Sequence, residues 1–296
     1  MYYTNVMYEK DVAEKNLESY NDVFADIVNV LLFNGERLVQ ENELESDETL
    51  SQIKVDGKLH EQERDVSKIW KNGELRISIL GFENQTRQDY KMPLRVISYD
   101  GASYKKQLLN KKKAKNYPVA TLVLYFGTEH WTAPRNLTEC FEVPEELKPF
   151  VSDYKINVFE IAWLDDDVVN KFTSDFKFVV QFFQSKRKNE KYIGSDEEIK
   201  HVDEIFKLIS ILNGDKSFEM SYNEAKEIKK GGPITMCDVV QRIKDDGIKQ
   251  GIEQGKEESV RNLLEAKAGT VEQIAAWLKL PIEVVKQIAE KVPMMN

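Results

Sequence analysis

The sequence Leu75-Arg76-Ile77-Ser78-Ile79-Leu80-Gly81-Phe82-Glu83-Asn84-Gln85 alternates apolar and polar residues up to a glycine and then carries an acid and an amide. Alternation with a period of two predicts a β-strand over residues 75–80. Because successive strand side chains point to opposite faces, Glu83 and Gln85 are expected on one face. An acid and an amide on one face can serve a single site at the end of this strand.

A second acid, Asp65, lies upstream of this strand, and the Asn72-Gly73 pair between them predicts a β-hairpin. Mg²⁺ prefers one or two carboxylates together with water and substrate phosphate. The pattern therefore predicts Mg²⁺ bound by the carboxylates of Asp65 and Glu83 and by the backbone carbonyl of Asn84. Gln85 is expected to orient the water that attacks a phosphodiester.

Hairpin register restricts this metal-site hypothesis. A regular two-residue turn would place Asp65 opposite Leu80, which is about 10 Å short of Glu83 and on the other face of the hairpin. A longer or odd-numbered turn, or a bulge at Gly81, would bring the two acids together. The sequence therefore predicts an irregular hairpin if the metal site exists.

Simpler interpretations of the same residues stay open. Glu83 and Gln85 can be ordinary solvent-facing strand residues, and Asp65 can pair with Arg64 or with a nearby lysine. Asp22 stands at the start of an apolar helical pattern, where an acid is a normal capping residue.

The predicted elements indicate an α/β fold, a mixed sheet flanked by helices in a restriction-endonuclease-like core with a C-terminal helical extension. An amphipathic helix over residues 20–33 is expected to end at Asn34-Gly35, and a long helix is expected from Met92 to Leu109. The run 118–127 is continuously apolar between a proline and a glycine, which is typical of a strand buried on both faces. A further strand is expected over 157–164.

The C-terminal part of the sequence is helical in pattern. We expect a nuclease-like domain over residues 1–165 and a helical extension over 166–232. A glycine-spaced helical arm over 233–262 follows, in which Gly247, Gly251 and Gly255 recur every four residues. This repeat suggests either close packing of a partner helix, as in a homodimer, or a flexible arm. A small helical hairpin over 263–296 resembles a helix-turn-helix in length, but its second helix is hardly basic, which favours a packing or dimerisation unit over a DNA reader.

Composition limits the class of protein and its setting. The 296 residues carry a net charge of −9, which argues against a surface coated with basic residues for nucleic acid. A local basic run nevertheless suggests phosphate contacts, although such a run can also be a solvated surface. No apolar run is long enough to span a membrane, no secretory signal is visible and two distant cysteines fit a reducing cytoplasm. The candidate DNA-binding residues of the basic run are Lys111, Lys112, Lys113 and Lys115.

Five blocks of the sequence, in this order and spacing, resemble the recombination-promoting nuclease and putative transposase family of the PD-(D/E)XK nuclease superfamily. The glycine-spaced arm and the closing helices are also similar to that family's C-terminal region, so the resemblance covers nearly the whole chain. The five blocks are residues 21–26, 64–65, 81–86, 89–95 and 124–127.

This resemblance implies a Mg²⁺-dependent DNA endonuclease with a role in recombination of mobile elements or in defence against foreign DNA. Asp65 and Glu83 would be the metal ligands, Gln85 would take the place of the superfamily lysine, and Asp22 would be the acid on the first helix. An amide cannot stabilise developing negative charge as an ammonium does. Gln85 and the net charge of −9 therefore keep open an alternative function, a catalytically weak or inactive DNA-binding or assembly module.

Overall fold

A computed structural model describes most of the chain and divides it into two compact units, Met1–Val239 and Val240–Asn296. The domain boundaries predicted at residues 165, 232 and 262 stay predictions. For residues 50–55, 58–63, 78–80, 211–213, 250 and 291 only the backbone is described. The described residues are 17–47, 50–55, 58–63, 66–72, 75–80, 88–109, 116–213, 220–224, 227, 232 and 235–291.

In the first unit a helix is followed by a run of strands, then by a long helix, two more strands and further helices, and the described elements of the second unit are helices. The strands are β1 (Leu44–Ser46), β2 (Leu50–Val55), β3 (Lys58–Glu63), β4 (Val66–Trp70), β5 (Leu75–Leu80), β6 (Val119–Tyr125) and β7 (Asn157–Glu160). The helices are α1 (Asn21–Phe33), α2 (Met92–Leu109), α3 (Asp166–Val169), α4 (Phe176–Lys188), α5 (Val202–Asn213), α6 (Met236–Glu265), α7 (Val271–Leu278) and α8 (Ile282–Lys291).

A mixed five-stranded sheet in the order β1-β4-β5-β6-β7 organises the first unit. The pairs β1-β4 and β4-β5 are antiparallel, whereas β5-β6 and β6-β7 are parallel. The parallel pair β5-β6 needs a crossover connection, and α2 provides it. The α/β class, with a mixed sheet flanked by helices and a helical C-terminal region, is confirmed.

Strand β6 is buried on both faces, as its uninterrupted apolar sequence predicts. On one face, Val123 and Tyr125 pack in a cluster with Met92 and Val96 of α2. Just beyond the end of β6, the ring of Phe126 packs against aromatic side chains of α4, with its centroid 5.1 Å from that of Phe183. Helices therefore cover both sides of the strand, and its buried polar residue Thr121 donates a hydrogen bond to Asp100 of α2 at 2.6 Å.

Helix α1 ends where the Asn34-Gly35 signal predicts. Asn34 adopts the left-handed conformation at φ 52°, and Gly35 follows at φ 91°. The buried carboxylate of Asp26 on this helix accepts hydrogen bonds from the backbone N–H groups of Thr173 and Ser174, at 2.9 and 2.8 Å. Asp26 therefore joins α1 to the chain that leads into α4.

An unpredicted β-ribbon lies between β1 and β4 in the chain. Strands β2 and β3 pair only with each other, antiparallel, from Leu50↔Glu63 to Val55↔Lys58. The two intervening residues are Asp56 and Gly57, which form one of the strongest two-residue hairpin signals. The predicted elements include no strand between the first helix and the β4-β5 hairpin, so this ribbon was missed.

The second unit contains most of α6 and the helices α7 and α8. Thr270 caps α7 by accepting a hydrogen bond from the backbone N–H of Gln273. Val260, Ile274, Val285 and Ile288 are buried together, so all three helices contribute to one small core. None of the described helices combines the length and apolar character that a membrane span requires.

Candidate functional site

The antiparallel pair β4-β5 brings together the two chain ends that lead to the predicted metal ligands. Val66, the first residue of β4, pairs with Ile79, the penultimate residue of β5. Asp65 directly precedes Val66 in the sequence, and Glu83 follows Leu80 by three residues. The predicted residues Asp65, Glu83, Asn84 and Gln85 themselves lie outside the described residues.

The register of this hairpin tests the predicted irregular turn. Trp70 pairs with Leu75, so four residues, 71–74, separate the last paired positions. An even number of intervening residues leaves the pairing in the same register as a two-residue turn. The prediction of an odd-numbered turn is therefore wrong. Continued in this register, Asp65 would lie opposite Leu80, and a bulge at Gly81 is the remaining predicted irregularity that would bring the two acids together. The bulge predicted at Gly81 lies outside the described residues.

Asp22 stands in the first turn of α1 and contacts a histidine that is distant in sequence. Its Oδ1 accepts a hydrogen bond from the backbone N–H of Val23 at 2.9 Å. The Nε2 atom of His201 lies 3.0 Å from Oδ1 and 3.1 Å from Oδ2. Lys200 adds a cation, with its Nζ 4.0 Å from Oδ2. The carboxylate is 24% exposed, so it remains accessible to solvent.

Two further contacts hold the imidazole of His201 in place. The buried carboxylate of Asp175 accepts the backbone N–H of His201 at 2.6 Å and that of Lys200 at 2.9 Å. The ring of Tyr20 stacks on the imidazole with centroids 3.8 Å apart. Burial raises the pKa of Asp175 above its ordinary value, and the two backbone donors oppose that shift. His201 is therefore fixed through its backbone as well as through its ring.

Lys68 lies on β4, and its buried ammonium contacts the start of α1. Its ammonium donates hydrogen bonds to the carbonyl of Ser19 and to the side-chain oxygen of Asn21, and it lies 5.5 Å from the centroid of the Phe24 ring. Burial lowers the pKa of Lys68, and the negative charge of Asp22 acts in the opposite direction. Lys68 thus ties the helix end that carries Asp22 to the strand that begins one residue after Asp65.

The side chain of Gln88, shortly after the predicted motif at residues 83–85, forms hydrogen bonds with the chain that follows β6. Its side-chain oxygen accepts the backbone N–H of Ala133 at 2.7 Å and also that of Thr132, while its amide donates to the carbonyl of His130 at 2.7 Å. Residues 130–133 follow the carboxyl end of β6. In open α/β sheets this is the edge at which ligands bind. Gln88, three positions after Gln85 in the sequence, is therefore anchored to the same edge of the sheet.

The predicted DNA-binding lysines Lys111, Lys112, Lys113 and Lys115 lie outside the described residues. The chain on either side of them is described. Gln107 near the end of α2 accepts the backbone N–H of Tyr117 at 2.9 Å and donates to its carbonyl at 3.0 Å. Tyr117 lies just before the amino end of β6. This edge of the sheet is opposite to the edge that carries the carboxyl ends of β5 and β6.

The described residues alone do not form a metal site. Among them, His, Cys, Asp and Glu side chains do not gather in groups of three that could hold a metal ion. Asp22 therefore needs donors from outside the described residues if it takes part in one.

Sequence reasoning missed the two residues that organise the surroundings of Asp22. His201 and Lys68 are 179 and 46 positions away from it in the chain. No local spacing links such residues, and His201 stands in an ordinary polar stretch before a helix. A lysine between apolar residues in Val66-Ser67-Lys68-Ile69-Trp70 was the only available signal, because a buried strand rarely carries an ammonium.

Comparison with known proteins identifies the family. No curated protein and no solved structure matches the chain. A family model described as "Putative transposase, YhgA-like" matches residues 11–216, which include the whole five-stranded sheet and the Asp22–His201 contact. Because that match extends over more than half of the sequence, the chain belongs to the YhgA-like transposase family.

Proposed function

We propose that the protein is a Mg²⁺-dependent DNA endonuclease that hydrolyses phosphodiester bonds in DNA recombination, transposition or defence against foreign DNA. Membership of a transposase family supports a role on DNA. The observation that carries the proposal is the pairing of Val66 with Ile79, because it brings the chain ends that lead to Asp65 and Glu83 to one end of a hairpin. Since this register, if continued, places Asp65 opposite Leu80, the proposal requires a bulge at Gly81 that brings Glu83 to the face of Asp65.

The donor atoms available at this hairpin end suit Mg²⁺. Two carboxylates, Asp65 and Glu83, and the carbonyl of Asn84 are hard oxygen donors, which Mg²⁺ prefers. When bound, Mg²⁺ supplies neutralisation of the phosphate charge. In this proposal the Gln85 amide orients the attacking water, and Asp22 on α1 supplies a third carboxylate beside the reacting phosphate.

The basic run is proposed to contact DNA away from the cleaved bond. Its flanking residues Gln107 and Tyr117 lie at the amino end of β6, whereas Leu80 pairs with Val123 further along the sheet. Val123 follows Val119 by four positions, which corresponds to about 13 Å along the strand. Lys111, Lys112, Lys113 and Lys115 are therefore proposed to bind backbone phosphates that flank the scissile one, with affinity that falls as salt rises.

Nicking of supercoiled plasmid tests the endonuclease directly. Wild-type protein is expected to nick plasmid with Mg²⁺ and not with EDTA, and Asp65→Ala and Glu83→Ala are each expected to abolish nicking. Lys155→Gln is the control, because Lys155 is exposed and stands before the amino end of β7. Absence of nicking by the wild type with Mg²⁺ or Mn²⁺ on varied DNA substrates would contradict the proposal.

A second candidate function is assembly through α6, which also suits the catalytically inactive alternative. Ile248 and Ile252 on this helix are 54% and 53% exposed. A Cβ placed at Gly247, Gly251 or Gly255 would have no neighbouring atom within 4 Å, so this side of the helix is open. We propose that it pairs with α6 of a second copy. Light scattering should then give twice the chain mass, and the mass of a single chain at working concentration would refute the pairing.

A further inference from the structure

Asp22 makes more contacts than a helix-capping acid needs. One oxygen already accepts the N–H of Val23 within the first turn, and both oxygens face the Nε2 atom of His201. A carboxylate held at two points by a fixed backbone and a fixed ring has little freedom to rotate. The remaining lone pairs of the Asp22 carboxylate therefore point in fixed directions. The side chain is 24% exposed, so these lone pairs are accessible.

The ring contact defines the tautomer of the neutral imidazole. Nε2 can bond to a carboxylate only as a donor, so the neutral ring carries its proton on Nε2. The ring itself is held by the stacked Tyr20, whose hydroxyl donates to Glu204 at 2.7 Å, and by the backbone contact to Asp175. The Nε2–H group of His201 therefore points to the carboxylate of Asp22 in a fixed direction.

We propose that His201 is a positioning residue, which fixes the carboxylate of Asp22 for its role at the hydrolytic site. The inference rests on the proposed endonuclease function and adds a contribution from the chain that precedes α5. His201 acts through Asp22 and does not contact the substrate. Because misplacing a catalytic group by about 1 Å can cost on the order of 100-fold in rate, holding this carboxylate has a large kinetic effect.

His130 provides a matched control for this role. Its Nδ1 atom lies 2.9 Å from a carboxylate oxygen of Glu160, and its ring stacks on Trp163 with centroids 3.6 Å apart. Both histidines thus combine an acid contact with aromatic stacking. The side chain of His130 contacts Glu160 and Trp163 rather than Asp22, so His130→Gln should leave the tautomer of His201 unchanged.

The first test is independent of catalysis. The chain has three histidines, so ¹⁵N NMR of the full-length protein should resolve each imidazole, and His201→Gln assigns the signal of His201. We expect His201 in the Nε2–H tautomer in the wild type and a loss of that preference in Asp22→Ala. An Nδ1–H tautomer in the wild type, or no change in Asp22→Ala, would overturn the proposal.

The second test separates positioning from folding. His201→Ala should lower kcat for plasmid nicking at least tenfold without weakening DNA binding, and His201→Gln should recover part of kcat because its amide can still donate to Asp22. Equal kcat in the wild type and His201→Ala would overturn the positioning role. The role would also be overturned if His201→Ala lost kcat and melting temperature together and His201→Gln restored neither. A wild type that never nicks DNA would defeat the proposed function instead, and the NMR result would still decide the Asp22–His201 contact.

Discussion

Lys68 on β4 donates a hydrogen bond from its buried ammonium to the side-chain oxygen of Asn21, the first residue of α1. Asn21 in turn donates through its amide to the carbonyl of Glu41 at 2.8 Å and to that of Leu44 on β1 at 3.3 Å. One amide and one ammonium therefore join the start of α1 to two strands. This junction sets the position of the helix turn that carries Asp22.

Lys68→Met should lower the free energy of unfolding by about 2 kcal/mol, because it leaves the oxygens of Asn21 and Ser19 without a charged donor. Urea denaturation measures the change. Lys155→Met removes an exposed lysine and should shift stability by less than about 0.5 kcal/mol. Equal stability of Lys68→Met and wild type would show that the junction does not stabilise the fold.

The lowered pKa of Lys68 predicts a pH dependence of stability. Between its folded-state pKa and the ordinary value of 10.5, the unfolded chain binds the proton and the folded chain does not. Stability rises with pH wherever the unfolded state binds more protons. The wild type should therefore gain stability relative to Lys68→Met as the pH increases toward 10.5. A difference that shrinks over the same range would contradict the assignment of burial as the dominant cause.

Asp26→Ala should destabilise the first unit by about 3 kcal/mol, because it removes the acceptor of the N–H groups of Thr173 and Ser174 and leaves Arg37 without its carboxylate partner. Asp167→Ala is the control, since Asp167 is exposed in α3. Thermal unfolding followed by circular dichroism compares the two variants. Similar melting temperatures for both would refute a structural role for Asp26.

Gly127→Ala should destabilise the fold by about 1–3 kcal/mol, because a Cβ at this position would lie 2.1 Å from the ring of Tyr125. Gly101→Ala is the matched control on α2, where a Cβ would meet no atom within 4 Å. Alanine favours a helix interior, so Gly101→Ala should be neutral or stabilising by up to about 1 kcal/mol. Chemical denaturation of both variants measures this contrast, and a stable Gly127→Ala would mean that Tyr125 repacks without cost.

Local patterns predicted much of the fold. The continuous apolar run around Val119–Tyr125 indicated a buried strand, and proline near the start of Met92–Leu109 with helical spacing indicated a helix that has those bounds. These elements depend on side chains close in sequence. The β2-β3 ribbon was missed although its Asp56-Gly57 signal is local, because its flanking residues are charged and lack a clear apolar alternation.

The candidate site was less predictable because its parts come from distant segments. Asp22 was found as a capping acid and by resemblance, but its contact with His201 spans 179 residues. Burial decides the role of Lys68, and burial depends on how α1 lies on the sheet. Such roles arise from tertiary packing, which no periodicity or spacing in a single sequence encodes.

We propose that the carboxylates of Asp65 and Glu83 together hold one Mg²⁺ ion. Calorimetric titration of Mg²⁺ into the wild type, Asp65→Asn, Glu83→Gln and Lys155→Gln tests it without requiring turnover. We predict one site in the wild type and Lys155→Gln, with affinity at least tenfold weaker in both acid variants. Equal Mg²⁺ affinity in all four proteins would contradict the account.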